Sequence, residues 1–226
     1  MNNPNETTLS SQIEQDNSTD IRHLARLSDF IFALAMALIV IAFDIPDQVE
    51  NMTNREINAF LISQLQPLAT YAVTFALIAF YWISHSQQFS YLRRTNVTHL
   101  WISVIYLMGL FLVPLSNDLV MTFPHNFGAK LWFSLNIAAI GFASSISWWY
   151  ATRDRQLVDG NLDESTIRSV QVKMLIEPVF ALVSLGVAYW SQTAWDYSWI
   201  VLLFAYNPLE RLLIEIIRSN DFNLTP

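Results

Sequence analysis

The stretch that decides the fold is residues 29–44, which read DFIFALAMALIVIAFD. A run of 14 apolar residues lies between Asp29 and Asp44. As an α-helix this run is about 21 Å long, which is shorter than the roughly 30 Å hydrocarbon core of a bilayer. At least one carboxylate must therefore approach membrane depth, where a charge is costly unless it is paired or faces water. This predicts a helix that is shielded by protein and borders an aqueous path. The alternative is that the two aspartates mark the interfaces of a thinned bilayer.

The composition of the whole chain indicates an integral membrane protein. Of its 226 residues, 53% are hydrophobic and only 14% are charged, and the mean hydropathy is +0.33. The absence of cysteine excludes disulfides, thiolate catalysis and Cys-ligated metals. The four histidines, at positions 23, 85, 99 and 125, lack metal-ligand spacing. We therefore expect no cofactor and no resident metal. The net charge of -7 argues against a nucleic-acid partner.

The hydropathy pattern predicts an all-α polytopic membrane protein with six transmembrane helices. The apolar segments are 24–45, 67–91, 99–121, 129–151, 172–192 and 195–217. With the N-terminus inside, ten of the twelve Lys and Arg residues lie on the cytoplasmic side. This predicts a multi-pass protein of the cell membrane with both termini in the cytoplasm. The predicted divisions are a disordered cytoplasmic tail (1–21), a transmembrane domain (22–218) and a C-terminal tail (219–226), and the polar start does not resemble a signal peptide.

The first helix carries a heptad seam of bulky aliphatic side chains. Its members step by 4, 3, 4 and 3 residues, and they are Leu27, Ile31, Leu34, Leu38 and Ile41. Ala33 and Ala37 form a small-x-x-x-small pair, which permits close approach of helices. Such a seam alone is typical of helix packing. Ser28 and Asp29 at its cytoplasmic end favour a second interpretation, a cation pore with a hydrophobic gate.

Residues 22–118 carry a signature on the first predicted helix and a spaced set of residues on the second. Residues 22–46, with Ser28 directly before Asp29, resemble the Arg-x-x-x-Phe-Ser-Asp signature on the first helix of the bacterial relatives of the endolysosomal transmembrane potassium channel. The second segment has the family's characteristic spacing at Pro67, Tyr71, Thr74, Phe75, Trp82, His85 and Phe89. The third segment matches more loosely around Val113-Pro114-Leu115. Like the family, this chain lacks the TVGYG filter of ordinary potassium channels.

The resemblance implies a homotetramer in a lipid bilayer, with four first helices around a central pore that conducts potassium ions. It assigns the pore constriction to Leu34, Leu38 and Ile41, three members of the seam. It also implies a polar network near the cytoplasmic mouth formed by Ser28, Asp29, Trp82 and His85. Arg22 or Arg26 would replace the family arginine, whose position holds His23 here. Ala37 stands where family members often have threonine, so we expect a modest potassium preference.

Other interpretations remain open at this stage. His85 would either titrate with cytoplasmic pH or join the first two helices structurally. Glu177 would either pair with Lys173 at i, i+4 or serve as a coupling carboxylate. A proton-coupled transporter using Asp29, His85 and Glu177 is therefore the alternative to a channel. An enzyme is not expected, because Ser28 lacks the surroundings of a nucleophile elbow.

Overall fold

The computed structural model describes residues 4–42 and 52–224, so Asp44 lies outside the described part of the chain. The first helix, α1, spans Pro4–Leu38 and continues as a 3-10 turn, η1, over Ile39–Ala42. The remaining elements are α2 (Asn54–Ser63), α3 (Leu65–Tyr91), α4 (Val97–Phe111), α5 (Val113–Thr122), α6 (Phe127–Thr152), the 3-10 turn η2 (Arg153–Arg155), α7 (Glu164–Trp190) and α8 (Gln192–Leu224).

The predicted all-α class is confirmed, because the described residues contain only helices and one isolated β-bridge between Leu92 and Val158. Four stretches are long and apolar enough to cross a membrane, namely 54–91, 97–122, 127–155 and 164–190. They cover the second, third and fourth predicted segments and the fifth as far as Trp190. The other two predicted segments fall on α1 and α8, and their crossing of the membrane stays a prediction.

The first helix begins earlier than its apolar run. The sequence predicts a disordered arm over residues 1–21, whereas α1 extends back to Pro4. Proline is well suited to the first turn of a helix. The residues after it, up to Asp20, include neither glycine nor a second proline. Extension of an existing helix also avoids the cost of nucleation.

The third predicted segment is divided into two helices. It is interrupted at Leu112, and α5 begins one residue later. The backbone N–H of Leu112 donates to the carbonyl oxygens of Gly109 and Leu110. Pro114 explains the break, because it has no N–H to donate and its ring clashes with the preceding turn. The hydropathy pattern predicts one helix over residues 99–121 and does not predict this division.

The most buried of the four candidate spans is the one that contains α6. It packs against α4, α5 and α7. The contact with α7 is so close that a Cβ added to Gly141 would lie 2.6 Å from Cδ of Pro178. A large core cluster includes residues from α1, α3, α4, α6 and α8, and a smaller one lies at the end that carries Ile21.

Candidate functional site

One face of α1 is packed inside the chain's own fold. The buried residues recur every three or four positions, as on one face of a helix, and are Leu24, Ser28, Phe32 and Ala35 of α1, followed by Ile39 of η1. This face contacts α3 and α4. It fixes which side of α1 remains available to anything outside the chain.

The opposite side of α1 is open and mostly apolar. Phe30 is 66% exposed, Val40 is 51% exposed and Leu34 is 36% exposed. Ala33 and Ala37 are exposed on the same side. Among the other constriction candidates, Leu38 is half-buried and the side chain of Ile41 lies outside the described residues. The seam therefore follows the border between the packed and the open side of α1. Of the constriction candidates whose side chains are described, Leu34 is the more exposed.

Asp29 and Trp82 meet across α1 and α3. The indole Nε1 of Trp82 donates a hydrogen bond of 2.8 Å to Oδ1 of Asp29. Both side chains are exposed, so the carboxylate can attract cations while the indole restrains its orientation. Two of the four residues assigned to the polar network are thus brought into direct contact.

Ser28 points away from this pair. It is 1% exposed, and its hydroxyl donates to the carbonyl oxygen of Leu24 at 2.9 Å. This i to i−4 bond satisfies a buried hydroxyl within its own helix. Ser28 thus faces the core at the level where Asp29 faces outward.

His85 lies in an aromatic environment. Its ring stacks on Tyr106 with centroids 5.1 Å apart and an interplanar angle of 6°. Phe89 lies 4.3 Å away and Phe32 of α1 lies 5.6 Å away, centroid to centroid. Nε2 of His85 has no hydrogen-bond partner among the described residues. The histidine therefore joins α1, α3 and α4 through ring packing.

The two candidate arginines are exposed on the N-terminal side of Asp29. Arg22 donates to the hydroxyl of Thr19 at 3.2 Å, and Arg26 is exposed. Both positive side chains thus precede the acidic one along the exposed side of α1. Their part in the polar network stays a prediction.

Glu177 is a buried carboxyl group on α7. It is 5% exposed and interacts electrostatically with Tyr81 and Lys173. The ammonium of Lys173 also reaches Glu210 on α8, at 3.3 Å. Lys173 thus links α7 to α8, an inter-helix contact that the i, i+4 spacing did not predict.

A buried charge near the start of α6 was not singled out from the sequence. Nζ of Lys130 is 2.7 Å from Oδ1 of Asp196, 2.8 Å from the carbonyl oxygen of Gln192 and 4.7 Å from the ring centroid of Trp195. Lys130 is completely buried, whereas the side chain of Asp196 is 49% exposed. The available signal was a lysine and an aspartate near the starts of two apolar segments, but their pairing across 66 positions has no local signature.

Two loops at the Ile21 end are joined in what we term the loop latch, residues 92–95 with 153–163. The backbone N–H groups of Arg93 and Arg94 both donate to the carbonyl oxygen of Leu157. The guanidinium of Arg93 also lies 3.3 Å from the carboxylate of Asp159. The backbone N–H of Asn161 and, to a smaller extent, Arg93 hold the pKa of Asp159 below its usual value.

Residues 23–114 match the sequence profile of the family described as endosomal/lysosomal potassium channel TMEM175. Over 165 residues the chain is 27% identical to a potassium channel from Streptomyces collinus. That alignment covers 70% of this chain and 75% of the relative. The matched profile coincides with the region of resemblance found in the sequence, so the resemblance is confirmed.

Two solved structures are similar in fold. A lysosomal potassium-selective channel TMEM175 homolog from Chamaesiphon minutus superposes with a TM-score of 0.71 at 19% identity, covering 85% of this chain and 98% of that one. A variant of the potassium channel MtTMEM175, in complex with a nanobody–MBP fusion, gives 0.62 at 20% identity, covering 87% and 93%. At these identities the two structures support a common fold.

Proposed function

We propose that this chain, a relative of the TMEM175 potassium channel family, is a potassium-preferring cation channel of the cell membrane. One α1 helix cannot enclose a pore, so a ring of subunits is required, and by resemblance the ring is a homotetramer. Six helices per subunit cross the bilayer, and both termini are cytoplasmic. The profile match over residues 23–114 supports this function, because it includes the whole proposed pore region.

The observation that carries the proposal is the asymmetry of α1. One side is packed against α3 and α4, whereas Leu34, Ala33 and Ala37 remain on the open side. Small residues allow the helices of neighbouring subunits to approach closely. The bulky members of the seam then surround the shared axis.

Leu34, Leu38 and Ile41 form the constriction of this pore. Each contributes one apolar side chain per subunit, so the assembled channel has stacked aliphatic rings. Narrow apolar rings stop ions by excluding the water that hydrates them. The channel conducts when these rings widen or rotate away from the axis.

Asp29 forms the cytoplasmic mouth together with Trp82. The exposed carboxylate raises the local concentration of cations and repels anions. Trp82 contributes the 2.8 Å hydrogen bond that orients it. Arg22 and Arg26 modulate this acidic mouth, and Ser28 and His85 hold α1 against the helices behind it.

The selectivity for potassium over sodium is modest. Ala37 offers no oxygen to a passing ion, whereas the threonine often found at this position in the family can do so. Measurement of reversal potentials in mixed potassium and sodium solutions tests this statement. A permeability ratio far above ten contradicts it, and a small preference supports it.

Flux through purified protein in liposomes tests the proposed function. Under a potassium gradient, rapid electrogenic flux that persists when a protonophore removes the proton gradient supports a channel. Strict dependence on a proton gradient contradicts it. The proposal is also contradicted if vesicles that contain folded protein show no flux, although added valinomycin produces flux in the same vesicles.

A further inference from the structure

The end of the pore helix is supported from behind by a break in another helix. η1 packs against α3 and α5. Ile39, its first residue, is 2% exposed and belongs to the same core cluster as Leu77 of α3 and Val113 of α5. The position of η1 therefore depends on where α5 lies relative to α3. The part of the constriction nearest to η1 depends on it in turn.

Four buried or half-buried polar side chains hold α5 in place, and we term them the polar bracket: Thr74, Ser116, Asn117 and Asn136. The hydroxyl of Thr74 on α3 donates to Oδ1 of Asn117 at 2.7 Å. Nδ2 of Asn136 on α6 donates to the hydroxyl of Ser116 at 3.1 Å. Two adjacent residues of α5 thus reach opposite neighbours, one on α3 and one on α6.

The bracket lies immediately after the interruption at Leu112. α5 is a helix of ten residues that the Pro114 break separates from the backbone ladder of α4. The hydroxyl of Ser116 also donates to the carbonyl oxygen of Leu112 at 2.9 Å, so this carbonyl at the break accepts both the side chain and the backbone N–H of Ser116. Asn136 faces both sides of the interruption, since a Cβ added to Gly109 of α4 would lie 3.8 Å from its Oδ1.

We propose that the polar bracket positions α5 behind η1 and thereby sets the equilibrium between the narrow and wide arrangements of the constriction. This inference rests on the proposed channel function. The four residues are positioning residues, because Thr74, Ser116 and Asn117 are buried in the single chain and act on the pore through Ile39. Loss of one arm frees α5 to move and favours the wide arrangement.

Single-channel recording of Thr74→Val tests this inference, because valine retains the shape and removes the hydroxyl. We expect the ratio of open to closed time to rise at least about threefold, the factor that corresponds to an average interhelical hydrogen bond in a membrane. Thr74→Ser, which keeps the donor, should retain the original ratio. The matched control is Thr70→Val, one turn earlier on α3, whose hydroxyl donates to the carbonyl oxygen of Gln66 in its own helix.

The permeability ratio of potassium to sodium should be the same in all four proteins, because the bracket does not contact the ions. An unchanged or reduced open-to-closed ratio in folded Thr74→Val overturns the inference while leaving the channel function intact. Ser116→Ala provides an independent test through the other arm, with the same expected rise. If the unsubstituted protein conducts no ions, the proposed function fails instead.

Discussion

Asp29 is an acidic side chain on the open side of α1 that is also held by a neighbouring helix. Its carboxylate accepts the indole hydrogen bond of Trp82 and remains exposed. The pairing joins residues 53 positions apart. The family resemblance predicted both partners, but helix periodicity alone places only Asp29.

Asp29→Asn should lower the conductance at low ionic strength. The substitution removes the charge that concentrates cations at the mouth while retaining an oxygen that accepts from Trp82. Because salt screens exposed charges, the difference from the unsubstituted protein should shrink as potassium chloride is raised toward about 1 M. Single-channel conductance across a salt series measures this. A deficit that is equally large at all concentrations would contradict a role for charge.

Lys130 is the most deeply buried charged side chain among the ion pairs described in this structure, and its partner Asp196 is half-exposed. Asp196→Ala should destabilise the fold by about 1–3 kcal/mol, because it leaves a buried ammonium with only its carbonyl and ring contacts. The loss is smaller than for a fully buried pair, since the Asp196 side chain is half-exposed. The double variant Lys130→Met with Asp196→Leu should lose less, since it leaves no buried charge.

Thermal unfolding of the purified variants measures this difference. Asp118→Ala is the control, because Asp118 is an exposed carboxylate on α5. A double variant less stable than Asp196→Ala would show that the pair contributes net stability beyond the cost of an unpaired ammonium.

At the scale of elements, the contact between α6 and α7 depends on the absence of a side chain. Gly141→Ala would place a Cβ 2.6 Å from Cδ of Pro178, and a proline ring cannot rotate away. We expect a loss of about 1–3 kcal/mol from overpacking. Gly186→Ala is the matched helical control, because a Cβ there meets nothing within 4 Å and alanine favours a helix by about 1 kcal/mol. Equal unfolding temperatures for the two variants would refute the close contact.

The loop latch should weaken in acid. The pKa of Asp159 is lower in the folded protein than its usual value of about 4. The ionised carboxylate therefore stabilises the fold above that usual pKa, and this stabilisation is lost as the pH falls through the lowered pKa of the folded protein. Amide hydrogen exchange at Arg93 and Arg94, corrected for intrinsic rates, should therefore show less protection below about pH 4. In Asp159→Asn this pH dependence should disappear. Identical profiles for the two proteins would exclude Asp159 as its source.

The elements also show what the sequence could and could not predict. Four spanning stretches followed from hydropathy, because the cost of exposing polar backbone in lipid forces long apolar helices. The break at Leu112 was missed although Pro114 was visible, because proline is often accommodated within membrane helices by neighbouring groups. The bracket between Thr74 and Asn117 could not be predicted, since contacts across 43 residues depend on how the helices pack.

At the scale of the whole molecule, the proposed pore requires more than one chain. Its α1 has a packed side and an open side, and the open side carries Leu34 with the small residues Ala33 and Ala37. The heptad seam predicts only part of the packing within the chain, because Ile31 and Leu38 are half-buried at the edge of the packed face of α1. In the proposed channel, a ring of copies that share this side completes the pathway.

The most direct test of that claim is modification of a single cysteine placed at Leu34. The chain has no natural cysteine, so Leu34→Cys introduces a unique thiol, and Val183→Cys does the same on the exposed, apolar surface of α7. During potassium current recording, a small charged thiol reagent applied to the cytoplasmic side should change the current through Leu34→Cys and leave Val183→Cys unaffected. A current through Leu34→Cys that does not respond, although mass spectrometry shows the thiol to be modified, would contradict the placement of α1 around the pore.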